Sequence, residues 1–305
     1  MQLSIFDGTE QSLLNKSLEL LKSFEEAALF RNPNGYIVGY SGGKDSDVLV
    51  HLFKRAGVKF CIVHNHTTLD APETVYYIRK KFAEWSEEGI YCKIIKPQLS
   101  FWQLCVKRKM LPLRQARFCC SELKERDVPE LRFAVRSFGV RKAESVRRAM
   151  HRDSIETRNK SNYSDTQRFH FDNTEDVKQS GACYTNSYFY VNPLAYWSDD
   201  YLWGYIESEK IEVNPLYGRG YHRVGCIGCP MVHGNRRALE FEKYPRYKKL
   251  FLHICDKIVL NKQMQDANPY RFKSGQEYFD WWMSDESMPS DAEYGLLGLS
   301  EENRK

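Results

Sequence analysis

A short polar segment between an apolar run and a helical run carries residue types suited to binding phosphate. Residues 41–46 read Ser-Gly-Gly-Lys-Asp-Ser. The glycines let the chain turn without a Cβ clash, and the first N–H groups of the following helix have no helical partner, so a phosphate fits there. The spacing is not that of a Walker A loop, and the alternative is an ordinary glycine turn. The predicted binding residues are Ser41, Gly42, Gly43, Lys44, Asp45 and Ser46.

Four of the nine cysteines have spacings that suit a metal centre. Cys226 and Cys229 are separated by two residues, which lets two thiolates meet one metal or cluster, and the adjacent Cys119 and Cys120 can supply two more. Four thiolates suit a [4Fe–4S] cluster or a zinc site. Adjacent cysteines are an unusual half of a zinc knuckle, so the cluster is the prediction, with zinc and free thiols as alternatives.

Several basic residues follow the predicted fourth strand. Arg141, Arg147 and Arg148 can clamp phosphate or sulfate, and Glu144 can order Arg148 as an i,i+4 pair. The alternative is a solvated helix face. Between positions 107 and 152 there are fourteen Lys/Arg and five Asp/Glu residues, a local charge that suits a nucleotide with its cluster or a nucleic acid.

A second basic stretch contains interleaved tyrosines. Its cations could neutralise RNA or DNA while the rings stack on bases. The favoured interpretation is a helix that packs its tyrosine side on the core. The residues concerned are Lys243, Tyr244, Arg246, Tyr247, Lys248 and Lys249.

The composition is that of a globular chain with a mild preference for anionic ligands. The 305 residues are 42% hydrophobic and 28% charged, with a formal net charge of +5. No apolar run is long enough to span a bilayer, and the first residues lack a secretory signal pattern. We therefore predict a cytoplasmic protein without a membrane partner, whose cysteines include metal or cluster ligands and do not form disulfides.

Strands alternate with helices along most of the chain, which indicates an α/β, doubly wound parallel sheet. The predicted strands are 36–40, 59–64, 91–95, 132–136 and 188–191. Residues 10–30 predict one leading helix and 236–251 one helical stretch, whereas 151–187 is a polar insertion or lid. We predict an N-terminal helical segment at 1–34, a nucleotide-binding domain with the metal ligands at 35–235, and a mainly helical, acidic C-terminal extension at 236–305.

These motifs, in order, resemble the phosphoadenylyl-sulfate (PAPS) and adenylyl-sulfate reductase family of pyrophosphate-loop (PP-loop) enzymes. The resemblance spans about residues 35–230 and implies a PP-loop fold, an adenine nucleotide held at 41–46, and a [4Fe–4S] cluster on Cys119, Cys120, Cys226 and Cys229. The matching pieces are residues 41–46, 69–74, 119–120, 139–148, 192–197, 214–220 and 224–230.

Two departures from that family bear on the reaction. The Glu-Cys-Gly-x-His segment with which the reductases attack sulfur is absent, and the loop keeps Lys44, which suits ATP. The first hypothesis is ATP-dependent adenylation coupled to sulfur transfer, with Lys44, Asp45 and Arg141 as catalytic groups. Mg²⁺ would neutralise the pyrophosphate, near Asp45 and Asp70.

Two alternatives remain open from the sequence. The first is a thiol-dependent PAPS or adenylyl-sulfate reductase, in which Cys255 or Cys183 replaces the missing cysteine. The second is a non-catalytic nucleotide-binding subunit of a larger complex. The expected partners are a thioredoxin-like protein or a cysteine desulfurase as electron or sulfur donor, a nucleic acid, and further copies or other chains in a homo- or hetero-oligomer.

Overall fold

The computed structural model describes residues 8–126, 133–158, 166–173, 175, 188–265 and 272–284. The chain divides into two units, each made of three segments. The first unit comprises Met1–Asn65, Pro72–Ile95 and Asp127–Val224, and the second comprises His66–Ala71, Lys96–Arg126 and Gly225–Lys305. No helix in the described ranges combines the length and the apolar character needed to cross a membrane.

The first unit contains one seven-stranded sheet, in the order β3-β2-β1-β4-β7-β5-β6. Strands β1, β2, β3, β4 and β7 are parallel. Among these parallel strands, chain order runs outward in both directions from the β1–β4 pair, so the predicted doubly wound α/β sheet is confirmed. Ligands in such sheets bind beyond the carboxyl ends of the strands at this reversal. The strands are β1 Tyr36–Gly39, β2 Phe60–Asn65, β3 Cys92–Ile95, β4 Val135–Phe138, β5 Ile155–Arg158, β6 Thr166–Phe169 and β7 Tyr188–Val191.

The polar insertion at 151–187 contains strands that the sequence analysis did not predict. β5 pairs antiparallel with both β7 and β6 and extends the parallel sheet. Ile155, Glu156 and Thr157 are buried although two of them are polar. Glu156 receives Arg152 and Asn192 as partners, which offsets the cost of burying its carboxylate. The polar composition did not indicate this strand, because one partner of its buried carboxylate is Asn192, 36 residues further along the chain.

Helices cover the sheet of the first unit, and their apolar faces form its core. The leading helical segment is two helices rather than the predicted one, with Phe24 between them fully buried. In α3, Val48, Leu49, Leu52 and Phe53 recur at helical spacing and are all buried. The helices of this unit are α1 Gly8–Ser23, α2 Glu25–Arg31, α3 Lys44–Ala56, α4 Pro72–Glu87, α6 Val146–His151 and α7 Asp199–Ser208.

The second unit is mainly helical and has an aromatic core. The predicted stretch 236–251 is interrupted at Tyr244, because Pro245 disfavours a helical conformation in the residue before it. Phe251 stacks on Trp282 at a centroid distance of 5.3 Å, and Trp282 is buried. The helices are α5 Phe101–Arg108, α8 Gly234–Lys243, α9 Pro245–Gln265 and α10 Gly275–Ser284, with a π-helical turn at Cys120–Lys124.

Truncating Phe53 should destabilise the first unit. Its ring is fully buried and contacts the rings of Tyr36 and Phe60 at centroid distances of 5.1 and 5.2 Å. We expect Phe53→Ala to lower the free energy of unfolding by about 3–5 kcal/mol, measured by urea denaturation. The control Tyr76→Ala removes an aromatic ring that is 70% exposed and should change stability little. Equal losses in the two variants would contradict this core assignment.

Candidate functional site

The loop after β1 is held by hydrogen bonds that fix its backbone. Gly42 has a φ of 72°, a conformation that favours glycine. The Asn214 side-chain amide donates to the Gly42 carbonyl at 3.0 Å. The Ser46 hydroxyl donates to the Gly43 carbonyl at 2.7 Å and accepts from the Ser41 N–H at 3.3 Å. The loop is therefore preorganised by its own serines and by a distant asparagine.

Helix α3 begins at Lys44, inside the predicted phosphate-binding segment 41–46. Gly43 occupies the N-cap position and has no side chain to cap the helix. Lys44 donates its backbone N–H to the hydroxyl of Tyr217 at 3.1 Å. The N-terminus of α3, with its partial positive charge, thus lies at the carboxyl end of β1, where a phosphate is expected to bind.

Two cations and two carboxylates form a charged network at this helix terminus. Arg141 is 1% exposed and donates through Nε to Asp45 at 2.5 Å and through a terminal nitrogen to Asp199 at 2.6 Å. Its other terminal nitrogen donates to the Trp197 carbonyl at 3.2 Å. Lys44 Nζ lies 3.3 Å from both carboxylates. A buried guanidinium is tolerated only with such partners.

The ends of β1 and β4 bring this network together. Gly139 follows β4, and a Cβ added there would lie 2.9 Å from the backbone carbon of Asp45. The absence of a side chain lets the β4 loop run directly against the start of α3. Arg141, two residues further on, then reaches Asp45 across the reversal point of the sheet.

Sequence reasoning missed three residues of this site, namely Asp199, Trp203 and Tyr217. Burial acts to raise the pKa of Asp199, but the hydrogen bond and charge of Arg141, aided by Lys44, outweigh it and lower that pKa. Trp203 lies with its ring centroid 5.8 Å from Lys44 Nζ and 5.5 Å from the Tyr217 ring. Asp199 and Trp203 lie on the first two turns of α7, and no sequence motif links them to the segment 41–46.

A second group of arginines lies on the same unit. Arg148 pairs with Glu144, which confirms the i,i+4 pair, whereas Arg147 is exposed. Burial and the neighbouring charges of Arg223 and Arg152 lower the pKa of Arg148, and Asp45 acts in the opposite direction. Several guanidinium groups close to Asp45 therefore repel one another, and a bound anion would reduce this repulsion.

The four singled-out cysteines come together in the second unit. Cys119, Cys120, Cys226 and Cys229 all line one cavity. Cys119 and Cys120 lie at the start of a π-helical turn, and Gly228, with a φ of 67°, shapes the loop between the other two. The remaining lining residues are Thr67, Leu69, Phe101, Pro112, Leu123, Lys124, Gly228 and Pro230.

Burial and nearby cations act in opposite directions on these thiols, and the pKa of Cys119 is raised by its hydrogen bond to Cys120 and by burial. The Cys119 thiol donates to Cys120, which lowers the Cys120 pKa; burial opposes this shift, and Lys124 and Arg117 add to it. Burial raises the pKa of Cys226 to about 11, against the charge of Lys124. The charge of Cys226 in turn raises the Lys124 pKa. Lys124 thus provides a cation for anionic sulfur in the cavity.

The spacing of the sulfurs also bears on which group they suit. Among the described residues, no three of these four sulfurs lie within 4.8 Å of one another. A tetrahedral zinc site with Zn–S bonds of about 2.3 Å needs its sulfurs roughly 3.8 Å apart. No three of these sulfurs therefore stand at the spacing of a single tetrahedral zinc site.

The other cysteines of the described chain lie away from this cavity lining. Cys61, Cys105 and Cys255 are buried, and Cys92 is half-buried. Cys255 is fully buried in α9, and burial raises its pKa, followed by the charges of Asp256 and Asp280. Such a thiol is a poor nucleophile. Cys183, the other substitute considered, lies outside the described residues.

Comparison with known proteins defines the family. The model of the phosphoadenosine phosphosulfate reductase domain matches residues 35–232, so the chain belongs to this family of PP-loop proteins. Uncharacterized protein MJ0066 of Methanocaldococcus jannaschii is 28% identical over 291 residues, covering 88% of this chain and 54% of that protein. The chain thus spans about half the length of this relative. An adenosine 5'-phosphosulfate reductase of Sinorhizobium fredii is 49% identical over 39 residues, 13% of this chain and 16% of the reductase.

Solved structures with similar folds include a reductase and a thiolase. The phosphoadenylyl-sulfate reductase from Candida auris has a TM-score of 0.45 and 17% identity, covering 74% of this chain and 98% of that one. The U34-tRNA thiolase NcsA from Methanococcus maripaludis, determined with its [4Fe-4S] cluster, has a TM-score of 0.46 and 15% identity, covering 96% and 89%.

A methyl group at Gly42 should disturb the loop beyond its effect on backbone conformation. The added Cβ would lie 2.9 Å from Ile78 and 3.2 Å from Thr74. At Gly57, with a φ of 70°, it would meet nothing within 4 Å. Both alanine variants carry a left-handed strain of about 1–2 kcal/mol, but we expect Gly42→Ala to lose roughly 1–3 kcal/mol more through overpacking. Equal free energies of unfolding in the two variants would contradict the close packing at Gly42.

Proposed function

We propose that this chain is a PP-loop enzyme that binds ATP with its phosphates on residues 41–46 and adenylates an acceptor as a step in sulfur transfer. The observation that carries the proposal is the position of Lys44 and Arg141 at the N-terminus of α3, just beyond the carboxyl ends of the paired strands β1 and β4. Two cationic side chains and the free N–H groups of the helix terminus lie close together. A polyphosphate is the ligand whose charge and oxygen atoms suit this arrangement.

The charge balance of the site supports a nucleotide that arrives with a metal ion. Lys44 and Arg141 are neutralised by Asp45 and Asp199. The Asp199 side chain is 60% exposed, so it is accessible to a cation. Mg²⁺ on these carboxylates would release the two basic groups to contact phosphate oxygens. The proposed magnesium residues are Asp45 and Asp199, with Asp70 of the second unit remaining a prediction.

The proposed reaction has two steps. An oxygen atom of the acceptor attacks the α-phosphorus of ATP, the bond to the bridging oxygen breaks, and pyrophosphate leaves with its electron pair. Hydrosulfide then attacks the activated acceptor carbon and AMP departs with the oxygen, so no oxidant or reductant is consumed. Lys44 and Arg141 would stabilise the charge that develops on the leaving pyrophosphate.

We assign the four cysteines that share the cavity as ligands of a [4Fe–4S] cluster. The donor set of Cys119, Cys120, Cys226 and Cys229 and the nearby Lys124 fit an anionic group of this kind. Such a cluster would supply a redox-active, negatively charged group. Lys124 would offset part of its charge, and Thr67, which receives a contact from Cys226 Sγ at 3.7 Å, would orient that sulfur.

The reductase remains the second candidate function, because the family model is that of a reductase domain. A reductase needs an accessible thiol to attack the sulfate sulfur. The complete burial of Cys255 argues against that residue. A nucleotide-binding subunit without turnover is the third candidate, and copurification of a stable partner would favour it.

Replacing Lys44 should weaken nucleotide binding. A charge-assisted contact to phosphate is typically worth ~1.5–3 kcal/mol, so we expect Lys44→Ala to raise the Kd for Mg-ATP by about 10- to 150-fold, measured by calorimetry. The control Lys54→Ala removes a lysine from the last turn of the same helix, where it pairs with Glu88, and should leave binding unchanged.

The reaction itself is tested with wild-type protein and Lys44→Ala. Pyrophosphate release from ATP, dependent on an added acceptor and lost in Lys44→Ala, is the expected result. If the protein forms sulfite from PAPS and reduced thioredoxin but does not cleave ATP, the reductase function replaces the proposed adenylation. Nucleotide binding with neither reaction would favour the subunit.

The cluster assignment predicts a brown protein with about four irons per chain after anaerobic purification. Cys226→Ser should abolish the colour and most of the iron. Cys61→Ser is the matched control, because Cys61 is buried in β2 of the first unit, and it should keep both. Stoichiometric zinc with little iron in the wild-type protein would show the assignment to be wrong.

A further inference from the structure

The positive charge of the chain is concentrated in the cysteine-bearing second unit. Its three segments, 66–71, 96–126 and 225–305, contain 20 Lys and Arg against 15 Asp and Glu, a formal net charge of +5. The rest of the chain contains 25 of each kind and has no formal net charge. An asymmetry of this kind points to a polyanionic partner for the basic unit.

Helix α9 presents this charge on one side. Arg246, Lys249, His253 and Lys257 are all exposed and follow one another at helical spacing, and we call them the basic face. In the described ranges none of the four forms an ion pair with a carboxylate. The opposite side of α9 is buried through Phe251, Ile254, Cys255, Ile258 and Val259.

The buried side of α9 supports the cysteine cavity. Tyr247 donates its hydroxyl to the Asp70 carbonyl at 2.8 Å, and Asp70 forms a β-bridge with Cys226. The Phe251 ring lies 3.1 Å from the position that a Cβ of Gly228 would occupy. The helix that carries the basic face is therefore packed directly against the loop that carries Cys226 and Cys229.

The length and chemistry of the basic face match a nucleic-acid backbone. Arg246 and Lys257 are eleven residues apart, which is roughly 16 Å along a helix and comparable with about five phosphates of one strand of a duplex. Leu250 and Leu260, on the same side of the helix, are 42% and 51% exposed and can contact sugars. A row of basic residues that forms no ion pair with a carboxylate within the described part of the chain suits evenly spaced phosphates better than a single small anion.

We propose that the basic face of α9 binds the phosphate backbone of a nucleic acid beside the cysteine cavity. This proposal rests on the proposed function in one respect only, namely that the bound nucleic acid would carry the acceptor that is adenylated. RNA and DNA share the backbone chemistry and are separated by the arms of the experiment. The proposal is contradicted if the basic face instead binds an acidic protein surface, which the polyglutamate measurement below tests.

The experiment measures fluorescence anisotropy of labelled single-stranded DNA, duplex DNA and structured RNA with full-length protein, without ATP. The test variant is Arg246→Glu/Lys249→Glu/Lys257→Glu. The control variant, Lys22→Glu/Lys59→Glu/Arg79→Glu, changes three exposed basic residues of the first unit. Both variants lower the formal net charge from +5 to −1, so they differ only in where the charge is removed.

We expect at least one nucleic acid to bind the wild-type protein with a marked salt dependence. The test variant should bind it at least roughly tenfold more weakly, and the slope of log K against log salt should fall in magnitude by about 2–3, because each lost phosphate contact contributes about 0.7–0.9. The control variant should bind within about twofold of wild type, since its charges lie outside the face.

Three results would overturn the proposal. These are no binding of any nucleic acid by the wild-type protein, equal losses in the test and control variants, and binding of polyglutamate as tight as that of nucleic acid. Retained iron and Mg-ATP affinity establish that the test variant is folded. Since no ATP is present in the binding assay, failure here is independent of the pyrophosphate assay, which tests the proposed reaction.

Discussion

The buried guanidinium of Arg141 is the constraint around which the candidate nucleotide site is arranged. A charge that is 1% exposed would be very costly without partners, so Asp45 and Asp199 must be held within hydrogen-bond distance. Those carboxylates in turn fix Lys44. The network therefore connects the start of α3, the loop after β4 and the start of α7, where we propose that a phosphate binds.

Two glycines make this arrangement sterically feasible. Gly139 allows the β4 loop to lie against the backbone of Asp45, and Gly42 allows Ile78 and Thr74 to pack under the loop. Any side chain at either position would separate elements whose hydrogen bonds depend on contact. The charged network and the close backbone packing thus depend on each other, because the carboxylates can reach Arg141 only if the chains approach closely.

In the second unit, the residues that form the core are distinct from the thiols and cations that could bind ligands. Aromatic side chains such as Phe251 and Trp282 form its core and hold α9 beneath the cysteine loop. The thiols face a cavity near Lys124, whereas the outer side of α9 carries cations exposed to solvent. One helix therefore serves a packing role on one side and offers a charged surface on the other, as amphipathic periodicity allows.

Local pattern determined a large part of this protein from sequence. The strand–loop–helix at 36–56, the doubly wound sheet and the family followed from β-branched runs, glycines and motif order, because these depend on residues that are close in sequence. The tertiary structure decided what depends on distant partners. Asp199 and Trp203 join Lys44 only when α7 packs beside α3, and β5 forms in a polar segment because the distant Asn192, together with the neighbouring Arg152, satisfies its buried Glu156. Contacts between residues that are far apart in sequence produce no local periodic pattern, because the stabilising groups come together only when the chain folds.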